Sequence, residues 1–455
     1  MRQLFLNTLA RLLRNHHLLE EVSTPKQGVN TLSLQHKKLL RLLNFANKEI
    51  SFFRNRFTEF LAKTSDVSAE DFFHFYSELP TYTKRDYLEA GSALHSSMVQ
   101  DELSFDKGVC KGLWALRQGD VSLTMSTGGS SKLPLSVKMS KEHMLRLFFS
   151  FFRCWREMGW QLGDKVLVFY PRGTYNIDDL VAFNSMSFFF GFKLLLFDAI
   201  NEKSTSELLE TLESYRPKLL MTFPSPLNLV CHIVRNNQIE VPYIPPLINV
   251  SGETFFDCQR RNIQSLFKGS NIGDSYGSVE FGEIAHETDR GYEIFADLAY
   301  AENIGRELVV TTLDLMHFPF IRYRIGDIAK VTRTQSGQFF QSIDGKAENC
   351  LIGKDSRRLY PSALNQIVNE LNECFNDIIV EIKVQKSVED IEVLLITKDS
   401  EEPEGLAQEL VKKIQAIVGQ LECRVSYVST MKHDYRRKYR VIENRGEVEY
   451  VGGVL

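Results

Sequence analysis

Between two apolar runs lies Ser126-Thr127-Gly128-Gly129-Ser130-Ser131-Lys132-Leu133-Pro134, which concentrates hydroxyls, glycines and one cation. Glycines let backbone N–H groups close on an anion, hydroxyls add donors and lysine adds charge, so the stretch has the ingredients of a phosphate cradle. Taken alone, a loop of this kind is more often a plain connection. It is not a Walker A loop, because G-x-x-x-x-G-K-[ST] cannot be fitted to it, and no G-x-G-x-x-G supports a dinucleotide fold.

Three later segments carry complementary groups. Ser251-Gly252-Glu253 ends the strand-like Leu247 to Val250, Tyr276-Gly277-Ser278-Val279-Glu280 follows the next apolar stretch, and Tyr323-Arg324-Ile325-Gly326-Asp327 lies among β-rich residues. An aromatic ring beside glycine can stack on a purine, a following carboxylate can hold Mg²⁺, and an aspartate can accept from both hydroxyls of a ribose. Any one of these is equally well a structural turn. Their order is what carries information.

In that order the segments resemble the adenylate-forming superfamily, and within it the branch of phenylacetate-CoA ligase and the capsule-biosynthesis and coenzyme F-adenylating (deazaflavin) synthetases. The similarity is collinear from Leu79-Pro80-Thr81-Tyr82-Thr83-Lys84 to the basic run Tyr435 to Arg440, and it leaves the helical start without a motif. The resemblance implies that Thr127, Gly128, Gly129, Ser130, Ser131 and Lys132 belong to a phosphate loop. It makes Ser251, Gly252 and Glu253 the adenine-side loop, Tyr276, Gly277 and Ser278 the purine-stacking motif, Glu280 the metal ligand and Asp327 the ribose ligand. Gly345-Lys346-Ala347-Glu348-Asn349 resembles the hinge, with Lys346 on the nucleotide and Glu348 and Asn349 at the pivot. Lys438 is similar to the mobile catalytic lysine. The chain differs from the family pattern at Lys132, Val279, Lys346, Glu348-Asn349 and Arg437, and an ammonium at Lys346 cannot reproduce the bidentate fork of the usual arginine.

The implied chemistry joins two anions: the carboxylate of a small-molecule acid attacks the α-phosphorus of ATP, and pyrophosphate leaves. Cations and Mg²⁺ are needed where negative charge accumulates. The acyl-adenylate is then passed to an acceptor, CoA by default, with a carrier or a sugar-linked acceptor as variants. Two other readings stay open. One keeps the fold but transfers AMP to a hydroxyl of a cofactor or sugar-linked substrate; the other is a non-catalytic nucleotide-binding member of a biosynthetic assembly, motivated by Val279, Lys346 and Arg437.

Elsewhere, His286 could line the acyl pocket, but a lone histidine beside Glu287 is more often a hydrogen-bonded structural residue, and a local metal site there is not expected. His317-Phe318-Pro319-Phe320 reads as a packed corner, and Phe188 to Phe192 as core. Tyr170-Pro171-Arg172-Gly173 and Phe223-Pro224-Ser225-Pro226 follow buried strands, where they could floor an acyl pocket.

The elements that must position these groups follow from periodicity. With 455 residues, 43% apolar and 25% charged, the chain is long enough for several compact units, and disorder or a collagen-like repeat is excluded. Lys+Arg 54 against Asp+Glu 58 leaves a net charge of -4, which provides no global field for nucleic acid or an anionic membrane. Seven cysteines without a C-x-x-C pair fit buried free thiols in a reducing cytoplasm. The most apolar run, Met186 to Phe197, is interrupted by Gly191 and Lys193, so no membrane insertion is expected.

Residues up to about 100 read as helical, with the break Thr64 to Ser68 capping the next helix. This start also leaves pairing into a homodimer open. Then β-rich runs alternate with helical patterns, which predicts an α/β fold with a parallel-sheet core, followed from Glu307 by a β subdomain. From Gly345 a second α+β pattern begins. The expected organisation is a large multi-subdomain N-terminal domain over residues 1–343 and a small mobile C-terminal domain over residues 344–455.

Overall fold

Short polar breaks set the N-terminal helices. In the computed structural model Ser68 Oγ accepts from the Asp71 backbone N–H, as the sequence predicts for the cap, and Thr83 with Asp86 forms a reciprocal capping box one helix later. The structure describes residues 31–96, 102–103, 122–126, 136–139, 141–172, 191–278, 280–334, 336–353, 356–386, 390–419, 421–431 and 440–444. Two compact units result. One comprises Met1–Val168, Tyr175–Leu194 and Gly273–Ser342; the other comprises Phe169–Thr174, Leu195–Ile272 and Ile343–Leu455.

The first unit holds helices α1 (Thr31–Glu49), α2 (Thr58–Lys63), α3 (Ala69–Ser77), α4 (Lys84–Ala90) and α5 (Lys141–Glu157). Its sheet runs in the order Ala299–Ile304, Glu307–Thr312, Tyr323–Thr334, Gly337–Lys346, Gly291–Ile294, Gly282–Thr288, Asn271–Ser278. The antiparallel texture expected from Glu307 therefore already begins with the pairing of Asn271–Ser278 and Gly282–Thr288. The strand expected over Phe320 to Thr334 starts only at Tyr323, because Arg322 adopts a left-handed φ of 43 at the corner. That corner is packed as predicted: Phe318 and Phe320 are buried, and the Tyr87 hydroxyl donates to Pro319 O at 2.9 Å.

α1 and α5 are pinned to this sheet by buried polar bonds. Gln35 Nε2 donates to Gln338 Oε1 at 2.9 Å, Lys38 and Arg146 share Asp314 at 2.6 and 3.0 Å, and Arg153 pairs with Asp297. These cations compensate carboxylates that burial would otherwise penalise. On and after α5, Trp155 and Trp160 meet edge to face at 5.4 Å, and Phe192 stacks on Phe152 at 5.8 Å, in keeping with a core role for Phe192, whereas Phe188 to Phe190 lie outside the described residues.

The second unit contains α6 (Glu202–Tyr215), α7 (Pro224–Asn236) and α8 (Asp257–Leu266) with the parallel pair Leu219–Thr222 and Leu247–Ser251. Both strands are buried along their whole length, as parallel strands covered on two faces are. Its tail adds α9 (Pro361–Cys374), α10 (Leu406–Val418) and a four-stranded sheet in the order Glu422–Tyr427, Asp390–Thr397, Ile379–Lys386, Ile442–Asn444. α9 starts on Pro361 and buries Leu364, Ile367, Val368 and Leu371; α10 buries Leu406, Leu410, Ile414 and Val418. Those spacings place each apolar set on one helical face over the sheet. The result is the mixed α/β architecture expected, with an α+β tail. Cys154, Cys231, Cys258 and Cys350 are buried free thiols, and no helix among the described residues is long and apolar enough to cross a membrane.

Candidate active site

In the first unit the segments around Tyr276 and Asp327 meet. Antiparallel register sets Gly277 opposite Glu283 and Ser278 opposite Gly282, closing a tight hairpin that carries Glu280 at its tip. Gly277 is dictated by space: a Cβ there would lie 2.5 Å from Gly282 O and 2.7 Å from Glu283 Cα. The hairpin is tied to α5 by the Glu283 N–H, which donates to Ser150 Oγ at 2.9 Å.

Half-buried Tyr276 donates its hydroxyl to Asp327 Oδ2 at 2.6 Å, and its ring meets Phe340 edge-on at 5.1 Å. Asp327 is 8% exposed and follows Gly326, whose φ of 83 bends the strand there. Burial, then the charge of Asp327 and the bond to it, then Glu280 and Glu283, hold the Tyr276 hydroxyl well above the ordinary phenol range. It therefore remains a donor at neutral pH, and Tyr323 is pushed in the same direction by burial, Glu280 and Asp327. Three carboxylates thus surround these phenols. Ser278 Oγ is buried with no hydrogen-bond partner among the described residues.

Such a site suits a ligand that brings cations and donors. One buried carboxylate at Glu280, with others close by, fits a Mg²⁺ held mainly by phosphate and water rather than by a protein cage; among the described residues no group of three metal-ligating side chains forms such a cage.

In the second unit, Ser251 ends its strand 5% exposed, and Gly252 turns with a φ of 85. Glu253 is then held at the start of α7, where its Oε2 accepts from Ser225 Oγ at 2.6 Å and Ser225 N at 3.2 Å. A cavity of about 40 Å³ lies just beyond, lined by residues including Thr254, Gly345, Lys346, Asn349, Pro361 and Arg440. Thr254, which follows Ser251-Gly252-Glu253, the hinge-like stretch and the residue two beyond Lys438 are thereby neighbours. Gly345 has a φ of 87, and Asn349 N donates to Lys346 O at 2.9 Å to close a turn; Glu348 is exposed. Thr127, Gly128, Gly129, Ser130, Ser131, Lys132, Val279, Arg437 and Lys438 lie outside the described residues.

The secondary candidates separate. Tyr170 and Phe223 stack face to face at 4.4 Å and 9°, while Arg172 pairs with Asp198 at 2.9 Å. His286 stacks on Phe295 at 5.2 Å, and burial lowers its pKa against the opposing charges of Glu157 and Glu293. Sequence reasoning missed Glu283 and Ser150, and it read Ser225 with the floor of an acyl pocket rather than as the partner of Glu253. The hairpin register places Glu283 against Gly277, a pairing that only the folded chain displays.

No protein-family model matches the chain. Protein CapK of Staphylococcus aureus is 23% identical over 214 residues, which is 44% of this chain and 47% of that protein, so the match spans about half of the relative's length. A solved 2-hydroxyisobutyryl-CoA ligase, in the postadenylation state with R3-HIB-AMP, superposes with a TM-score of 0.64 and 16% identity over 91% of this chain and 89% of the other. The same ligase in the thioesterification state, with 2-HIB-AMP and CoA, gives a TM-score of 0.52 and 16% identity over 93% and 91%. The chain has the fold of the adenylate-forming enzymes.

Proposed function

We propose that this protein is an adenylate-forming ligase of the phenylacetate-CoA ligase-like branch, which activates a small carboxylic acid with ATP and hands the acyl group to CoA or a similar acceptor. One observation carries the reading: the Tyr276 hydroxyl donates to Asp327, joining the purine-side and ribose-side motifs on the fold that adenylate-forming enzymes use.

In this mechanism Tyr276 stacks on the purine and fixes one oxygen of Asp327, so that the carboxylate is oriented before the ribose hydroxyls arrive. Orientation ahead of binding removes part of the ordering cost. Ser251, Gly252 and Glu253 line the adenine side, with Glu253 steadied by Ser225. Thr127, Gly128, Gly129, Ser130, Ser131 and Lys132 clamp the outer phosphates through hydroxyls, amides and the ammonium. Glu280 would hold Mg²⁺, which when bound would supply positive charge for the departing pyrophosphate. Lys438 bridges the acid's carboxylate and the α-phosphate, and Lys346 adds a second cation. The domain over residues 344–455 acts as the mobile part, pivoting at Glu348-Asn349 and keeping water from the acyl-adenylate.

The test is acid-dependent pyrophosphate exchange across a library of carboxylic acids. Exchange with one acid class and release of free AMP on adding CoA support the reading. AMP left covalently on a product selects nucleotidyl transfer instead, and ATP binding without exchange under any acid selects the non-catalytic alternative.

A further inference from the structure

The strand Ile379–Lys386 carries a single carboxylate among buried apolar neighbours: Glu381 is 1% exposed, beside Ile379, Val380 and Ile382. Gln259 Nε2 on α8 donates to both its oxygens at 3.0 and 2.9 Å, and Asn228 Nδ2 on α7 donates to Oε2 at 2.6 Å and to Val380 O at 3.1 Å. The donors are themselves held. Asn262 Nδ2 donates to Asn228 Oδ1 at 2.6 Å, and the Phe256 N–H donates to Gln259 Oε1 at 3.1 Å, which directs the amide nitrogen of Gln259 at Glu381. Nearby, Asn365 and Asn369 of α9 donate to Asp257, and Arg261 pairs with Asp377 at 2.9 Å.

Burying an ionised carboxylate is costly, and an apolar residue would dock this strand at less expense in desolvation. A carboxylate that must meet amides from two helices is satisfied in one register only, and a half-satisfied buried network is worse than none. The same sheet anchors both ends of the stretch that contains Lys438. Met431 is buried with Leu229, Val380 and Ile396, and Val384 N donates to Val441 O at 2.7 Å.

We infer that Glu381 is a positioning residue: docked by Gln259 and Asn228, it sets the register of the tail on α7 and α8, and with it Met431 and Val441, which flank Lys438 in the sequence, for the adenylation step. The inference rests on the adenylate-forming reading for its catalytic consequence alone.

The experiment uses Glu381→Gln, Gln259→Glu and the two together in the full-length chain. Each single change sets like groups against each other; the pair restores an amide-to-carboxylate bond in the opposite sense. Each single variant should speed amide hydrogen exchange in Ile379–Lys386 and α8 and slow acid-dependent pyrophosphate exchange about ten- to hundredfold. Transfer from a supplied acyl-adenylate to CoA should stay within about twofold, and the exchanged pair should recover most of both losses. Unchanged amide exchange in both single variants, or loss that the pair does not recover, overturns the proposal. Should the unaltered protein exchange no pyrophosphate with any acid, the enzyme reading fails, and hydrogen exchange still decides whether Glu381 sets the register.

Discussion

Asp327 and Glu381 are both strand-borne carboxylates with little exposure, 8% and 1%, yet they are satisfied in opposite ways. Asp327 receives a phenol from its own unit, and the charges of Asp327, Glu280 and Glu283 all raise that phenol's pKa. Like charges crowded together leave a place that a cation or a donor-rich ligand completes. Glu381 is met by neutral carboxamides from two helices. The contrast separates two uses of a buried acid. One is held by a phenol with further carboxylates close by; the other is met by carboxamides from two helices and holds segments in register.

The largest expected effect lies on the tail. Lys438→Ala should lower acid-dependent pyrophosphate exchange by about a thousandfold, with ATP affinity by equilibrium binding unchanged within a few-fold; undiminished exchange would remove this lysine from the chemistry. Next, Asp327→Ala should raise the KM for ATP about ten- to a hundredfold, as loss of a charged hydrogen-bonding partner does. Glu381→Ala should instead act on the thermal midpoint, and equal effects of the two substitutions on KM would erase the distinction drawn between them.

Gly277→Ala forces a Cβ against Gly282 O, and a loss of about 1–3 kcal/mol is expected from the urea midpoint. Tyr276→Phe keeps the ring and removes the donor, so a few-fold rise in KM for ATP should follow, corresponding to about 1 kcal/mol. The smallest effect concerns pH. Burial lowers the folded-state pKa of His286 below its ordinary 6.5, so the unfolded chain binds the proton more readily. This group's contribution to stability is complete above pH 6.5 and is lost as pH falls through that value towards the folded pKa. His286→Gln should flatten the fall of Tm as pH drops below 6.5.

The tail was legible because its helices carry clear signals. Leu406, Leu410, Ile414 and Val418 repeat every fourth residue between Gly405 and Gly419, and Pro361 opens its helix. The Tyr276 and Asp327 motifs could be read from residue type and order, whereas the hydrogen bond joining them spans 51 residues and depends on strand order. Glu381 was not singled out, since one acid inside the strand-like run Ile378 to Val384 carries no signal of its own. Nor were its partners, since Asn228 and Gln259 lie 153 and 122 residues away and look like ordinary helix polar residues. The corner at Arg322 was likewise hidden, because its left-handed φ belongs to a residue type that rarely adopts one.

The indole pair described on and after α5 has an optical consequence. Trp155 and Trp160 both belong to the first unit, and the sequence has no tryptophan within the residue ranges of the unit that carries the tail. Intrinsic emission excited at the red edge therefore reports on one half of the molecule while the other stays dark. A single tryptophan placed at an exposed position of α10 would give the silent half its own colour, so that loosening of the tail could be followed apart from melting of the rest.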